Sequence, residues 1–193
     1  NLILVDFFCH GTPSFYLWKS YIDEVKGKIE VKKINEVNFR SKKYGWHSFT
    51  ISINTEKGTI YSDKLRDKDF FYEFFLGNHC LNAACYSCIF RAINSKADIR
   101  IGDLWGAKFA NDKEGVSGIL AFTEIGRKVV ENLSDACNIS SEDKETVIEG
   151  QIKTDIKPTY IRNKVIKDLS KGRKLKYSYY FRIIPFKFKR KIS

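Results

Sequence analysis

Three of the chain's five cysteines, Cys80, Cys85 and Cys88, fall inside the stretch CLNAACYSCIF. Cys85 and Cys88 form C-x-x-C, a spacing that lets two thiolates converge on one ion from a tight turn. Read alone, the pair is also compatible with two small buried residues. A thioredoxin-type dithiol would need the pair at the start of a helix, and nothing after Cys88 reads as a capped helix. Adding Cys80 produces C-x4-C-x2-C, the first three positions of a plant-type [2Fe–2S] pattern, for which Cys137 is poorly placed as a fourth ligand. Zinc held by Cys80, Cys85, Cys88 and either His79 or His10 suits the ligand types, although the adjacent His79 and Cys80 cannot easily reach one ion.

Cys9 is the distant candidate. It leaves an apolar strand-like run and precedes a helix N-terminus, where the dipole and free N–H groups favour thiolates, cluster sulfides or phosphates. A core cysteine is the alternative there. His10 beside it could titrate near neutrality. In IGDLWG, Asp103 sits at a strand end between Gly102 and the apolar pair Leu104 and Trp105. A carboxylate there either faces a ligand or hydrogen-bonds the backbone of its own turn.

The elements that must position these groups follow from periodicity. LILVDFF, residues 2–8, reads as a buried strand. Thr12 offers an N-cap oxygen, Pro13 suits the first helical position, and Gly27 can close the far end. Between them Phe15, Leu17, Trp18, Tyr21, Ile22 and Val25 form one apolar face. Alternation over 29–62, with TEKG as a turn, predicts an antiparallel sheet. Asp67 or Asp69 starts a short aromatic-rich helix that Gly77 stops, directly before the cysteine cluster. ADIRIGDLWG, residues 97–106, reads as a short strand running into a Gly-Asp turn, and 116–123 as another strand; then come a helix capped by Thr123, a weaker strand at ETVIEG, and a last helix from Pro158 to Leu169. The pattern predicts an α+β fold, with a mixed or antiparallel sheet and flanking helices, as a single domain over 1–170.

The composition, 43% hydrophobic and 30% charged, is that of a globular domain with a sizeable core. No apolar run is long enough to span a bilayer, and the opening NLILVDFFCHG lacks the marks of a signal peptide. The odd cysteine count argues against a secreted disulfide framework, so a cytoplasmic protein is expected. The chain has no Met, and its first residue already lies in a strand-like run, which suggests a piece of a longer protein. The formal charge of +11 is concentrated at one end: residues 171–193 carry nine Lys/Arg and no acid, leaving 1–170 close to neutral. This basic, aromatic tail is expected as an appendage. It is a candidate for docking on a membrane surface, which would make the protein peripheral to the membrane, or on a partner protein; nucleic acid is the less favoured partner.

In order along the chain, VDFFCHGTPS…LWKSYI, VNFRSKKYGW, CYSCIF, ADIRIGDLWG and GVSGILAFTEIG resemble the C-terminal domain of the coenzyme F420 hydrogenase/dehydrogenase beta-subunit family. The resemblance spans about residues 2–130. It implies an oxidoreductase subunit with [4Fe–4S] clusters and FAD that passes electrons or hydride to coenzyme F420 or another acceptor, such as a ferredoxin-like carrier. By position it makes Cys9, Cys85 and Cys88 cluster ligands, with a further cysteine from an upstream segment. His10, Gly11, Asp98, Gly102, Asp103 and Trp105 become candidate cofactor-binding residues. Cys80 and Cys137 have no place in that pattern, and Asn82 stands where the family tends to have Arg. The rival class is a zinc-stabilised binding module with a basic arm for nucleic acid or membrane.

Overall fold

The computed structural model describes residues 2–63, 69–91, 95–151 and 156–192. Helices and two three-stranded sheets give the α+β class expected from the sequence. Two compact units divide the chain: Asn1–His10 with Cys88–Asp155, and Gly11–Ser87 with Ile156–Ser193.

In the first unit β1 (Val5–Phe7) runs parallel to β5 (Ile99–Asp103), which pairs antiparallel with β6 (Ser117–Ala121), a mixed sheet. The strand expected over 2–8 is only three residues long, and Val5 and Phe7 are exposed rather than buried. Its position at the sheet edge accounts for that. Asp6 instead aims at Arg100, which is 1% exposed: Nε and Nη2 reach the two carboxylate oxygens at 2.8 and 2.6 Å. This bidentate pair, with Ser95 also donating to Asp6, holds the Asp6 carboxyl below the usual carboxylate range. α3 (Glu124–Glu131) is capped by Thr123, whose hydroxyl accepts from Gly126 N–H, as its sequence predicts. ETVIEG is not a strand. Lys144–Ile148 forms the short helix α4, which packs Val147 against Gly118 of β6. A five-residue segment with one buried side chain cannot be typed by alternation alone.

The second unit carries α1 (Phe15–Ile29), the antiparallel sheet β2 (Ile34–Ser41), β3 (Thr50–Thr55) and β4 (Gly58–Asp63), and α2 (Phe70–Leu76). It closes with α5 (Arg162–Ser170), α6 (Leu175–Ser178) and α7 (Ile184–Ile192). β3, in the middle, contributes Ile51 and Ile53 to the core, where Leu17 and Tyr21, Phe71 and Phe74, and Val165 and Leu169 meet them. The apolar face read for α1 holds except at Phe15, which is exposed. Its caps differ from expectation. Ser14, not Thr12, accepts from Leu17 N–H, and the helix runs through Gly27 to end on Glu30 in the left-handed region. Asp69 caps α2; the alternative, Asp67, lies outside the described residues.

Residues 171–192 were expected as an appendage, yet they put Leu175, Ile183 and Phe186 into this core. Between α6 and α7 a π-helical turn spans Tyr179–Ile183. It sets the step of five between the inward-facing Ser178 and Ile183, and it falls just before Pro185, which has no N–H to give the preceding turn. Asp168, buried, accepts from Arg173 and Arg182 at 2.7 Å each. Burial raises its pKa, but Arg182 and Arg173 outweigh this and hold it low. Lys187 pairs with Glu73 at 2.5 Å.

His79 is buried against Phe186, with Nδ1 3.3 Å from Thr159 Oγ1. Burial, helped by Lys187, pushes its pKa down from 6.5 to about 4. The unfolded chain therefore binds a proton that the folded one refuses between these values, so stability is complete above pH 6.5 and declines as pH falls to about 4. At about 1.4 kcal/mol per pKa unit the loss is roughly 3 kcal/mol. Urea unfolding across this window should show the decline in the parent and a flat profile in His79→Gln; equal slopes in both would disprove the assignment.

Candidate functional site

Cys85 lies in a 3-10 turn, Ala83–Ser87, that follows the stop of α2. Two extended segments clasp beneath it. Ser14 N–H donates to Cys80 O and Asn82 N–H to Thr12 O, both at 2.8 Å, around an isolated bridge between Pro13 and Leu81. The clasp brings Thr12 N–H to 3.2 Å from Cys85 Sγ. Gly11 makes the approach possible. Its φ of +131° is a conformation that side-chain-bearing residues rarely adopt, and a Cβ there would stand 3.2 Å from Leu81 and 3.4 Å from the cysteine sulfur. A backbone N–H aimed at a sulfur is also the kind of contact that orients cysteine ligands of metal centres. Thr12, expected as a helix cap, serves the sulfur instead.

Cys80, five residues earlier, has a different environment. It is fully buried in the core, shares a 3.1 Å hydrogen bond with Ser14 Oγ, and burial pushes its thiol up to about 11. It is a neutral structural thiol. This environment sets Cys80 apart from the partly open Cys85 and Cys88. Asn82 spends its side-chain oxygen on Ala84 N–H, while Arg162 from α5 donates to Leu81 O at 3.0 Å and stacks on Tyr86. Sequence reasoning missed Arg162, because no local signal ties it to a segment 81 residues away.

In the first unit, Cys9 is exposed and Cys88 half-buried. Arg91, itself buried, connects their surroundings: its Nη1 donates to His10 O at 2.9 Å and its N–H to Cys88 O at 3.4 Å. Arg100 Nη2 donates to Phe90 O at 3.0 Å, holding the segment after Cys88 against β5. Neither arginine was singled out from the sequence.

The candidate cofactor-facing residues of this unit are largely accounted for by packing. Asp98 accepts from Leu4 N–H and Thr123 Oγ1, which together lower its pKa. A Cβ on Gly102 would meet Phe8 at 2.8 Å, and one on Gly106 would meet Glu149. Trp105 is half-buried against Gly150, whose φ is +74°, and Gln151 donates to Asp103 O. These contacts account for the glycines of the turn. The backbone of His10 is bound by Arg91, and Gly11 belongs to the clasp of the other unit.

Residues 1–147 match the family described as the C terminus of the coenzyme F420 hydrogenase/dehydrogenase beta subunit. The chain belongs to this family. Membership gives it a hydrogenase/dehydrogenase beta-subunit-like redox role, and the match takes in both the cysteine clasp and the mixed sheet while ending before α5. No curated protein and no solved structure matches the chain.

The sulfur environments differ from one another. All five cysteines are thiols, Cys9 and Cys88 fall in one unit and Cys85 in the other. Among the described residues no group of three or more His, Cys, Asp or Glu is arranged to hold a metal ion.

Two glycines test the clasp. Gly11→Ala forces a strained φ onto a crowded site and should lower stability by about 2 kcal/mol. Gly27→Ala, inside α1 with nothing within 4 Å, should raise it by about 0.5–1 kcal/mol. Urea unfolding of both variants measures the contrast; equal effects would show that the clasp imposes no constraint.

Proposed function

We propose that this chain supplies sulfur donors and a supporting scaffold to the redox-cofactor region of a beta-subunit-like oxidoreductase. The partners of that region are a [4Fe–4S] cluster, FAD and a hydride or electron carrier such as coenzyme F420. The observation that carries the reading is the Cys85 sulfur, held beside Gly11 and accepting the Thr12 N–H at 3.2 Å. Cys88 and Cys9 are the further donors, their backbones tied through Arg91.

A flavin supplies hydride exchange and an iron–sulfur cluster supplies single-electron transfer when bound. The chain's own contribution is positional. The clasp fixes one sulfur with a donor already aimed at it, Arg91 and Arg100 hold the backbone just after Cys9 and Cys88, and burial keeps Cys80 protonated and out of competition. Asp98 braces the start of β5 through Leu4 and Thr123, while Gly102, Asp103 and Trp105 lie at its other end, with any contact to flavin made through Trp105 or the Asp103 carboxylate. In this reading the protein needs no side-chain acid or base, because the difficult chemistry belongs to the cofactor.

Anaerobic reconstitution of the full chain with iron, sulfide and FAD tests the reading. Iron uptake with a broad visible absorbance is expected in the parent and in Cys137→Ser, with iron lost in Cys85→Ser and Cys88→Ser. Iron retained by Cys85→Ser would refute it. Stoichiometric zinc with no iron would replace it with a structural-zinc binding module.

A further inference from the structure

We infer that the outer face of the C-terminal helical segment, residues 171–190, is a docking surface for an anionic lipid bilayer. The segment is divided by the core. Leu175, Ser178, Ile183 and Phe186 point inward, while Tyr177, Tyr180, Phe181 and Phe188 remain exposed, Phe181 and Phe188 each at 63%. Burial of one apolar set thus leaves a second aromatic set facing solvent. The π-helical turn helps create it, because its extra residue brings Tyr180 and Phe181 outward together between the inward Ser178 and Ile183.

The chemistry around these rings is one-sided. Residues 171–193 contain nine Lys/Arg and no Asp or Glu. Arg173 and Arg182 are engaged with Asp168, and Lys187 with Glu73. Lys171, Lys174 and Lys176 are exposed and take part in no ion pair among the described residues. Arg173, Lys174 and Lys176 with Tyr177, Tyr180 and Phe181 line a hollow of about 620 Å³. Tyr177 and Phe181 stack at 4.7 Å on one side of it, and Arg173 lies over Tyr177.

Exposed lysines, Lys174 with the Glu24 carboxylate near it, beside exposed tyrosine and phenylalanine rings match the two halves of a bilayer interface: negative headgroups for the ammonium groups, and the headgroup–acyl boundary for the rings. Among the described residues no helix is long and apolar enough to cross a membrane, so the contact proposed is with the bilayer surface. The surface lies beyond residue 147, outside the family match, and the inference is independent of the cysteine site.

Co-sedimentation of the full chain with vesicles decides the matter. Binding is expected to phosphatidylcholine vesicles containing phosphatidylglycerol and not to phosphatidylcholine alone, with loss at high salt. Tyr180→Ser combined with Phe181→Ser should weaken it by about tenfold, and Lys174→Gln combined with Lys176→Glu should do so at least as strongly. Thermal unfolding of both variants should match the parent, since these side chains are exposed. Phe181→Trp should shift its emission to the blue on anionic vesicles. Absence of binding at low salt, equal binding to neutral vesicles, or binding indifferent to the aromatic variant with no emission shift would each overturn the proposal. Release from the vesicles by a single-stranded polynucleotide that quenches the Phe181→Trp emission would overturn it in favour of nucleic acid.

Discussion

A buried guanidinium has to be paired, and in this protein the pairing of Arg100 with Asp6 organises the unit around it. Losing water from a cation is costly unless its donors all find acceptors. Arg100 meets that demand with both oxygens of Asp6 and the carbonyl of Phe90, and its guanidinium lies over Phe8. The consequence is a short edge strand locked to β5 despite its exposed Val5 and Phe7. Cys9 leaves the end of that strand, and Phe90 lies just past Cys88. Arg91, buried beside them, repeats the device on the His10 carbonyl. Two arginines therefore determine where two cysteine-bearing segments run.

The second unit solves a different problem. Its cysteines, Cys80 and Cys85, are five residues apart and chemically opposed. One is sealed in a core with a hydroxyl for company, and the other is partly open and receives a backbone N–H. The clasp of residues 11–14 on 80–85 produces both outcomes at once, because the bridge that seats Cys80 under Ser14 also lifts Thr12 toward Cys85. Gly11 is the position at which this geometry becomes intolerant of a side chain. The C-terminal helices complete the same core, with Asp168 gathering two arginines that would otherwise add to an already strongly basic surface.

Much of this architecture was legible in the chain itself. The antiparallel sheet from 29 to 62, the cap at Thr123, the start of α2 at Asp69 and its stop at Gly77 rest on patterns a few residues long, and there the local signal and the fold agree. The failures are as local as the successes. Thr12 and Ser14 are both good caps, and the extended clasp with residues 80–82 carries the chain past Thr12, so that the helix begins after Ser14. Gly27 looks like a helix stop because glycine can adopt positive φ, but Glu30 adopts it instead. ETVIEG is too short for either period to decide.

By itself, then, the sequence determined the α+β class, the order of most elements, the helix stop before the cysteine cluster, and the concentration of positive charge after residue 170. Tertiary structure alone decided which sulfur is buried and which receives a hydrogen bond, that the glycines of the 102–106 turn answer to Phe8 and Glu149, and which aromatics of the basic segment enter the core. The reason is range. Periodicity and capping act within one or two turns of chain, whereas the contacts that distinguish Cys80 from Cys85 join residues 66 and 73 apart, and the Asp6–Arg100 pair joins residues 94 apart. Burial and charge compensation are properties of those distant meetings, so they exist only once the chain has folded.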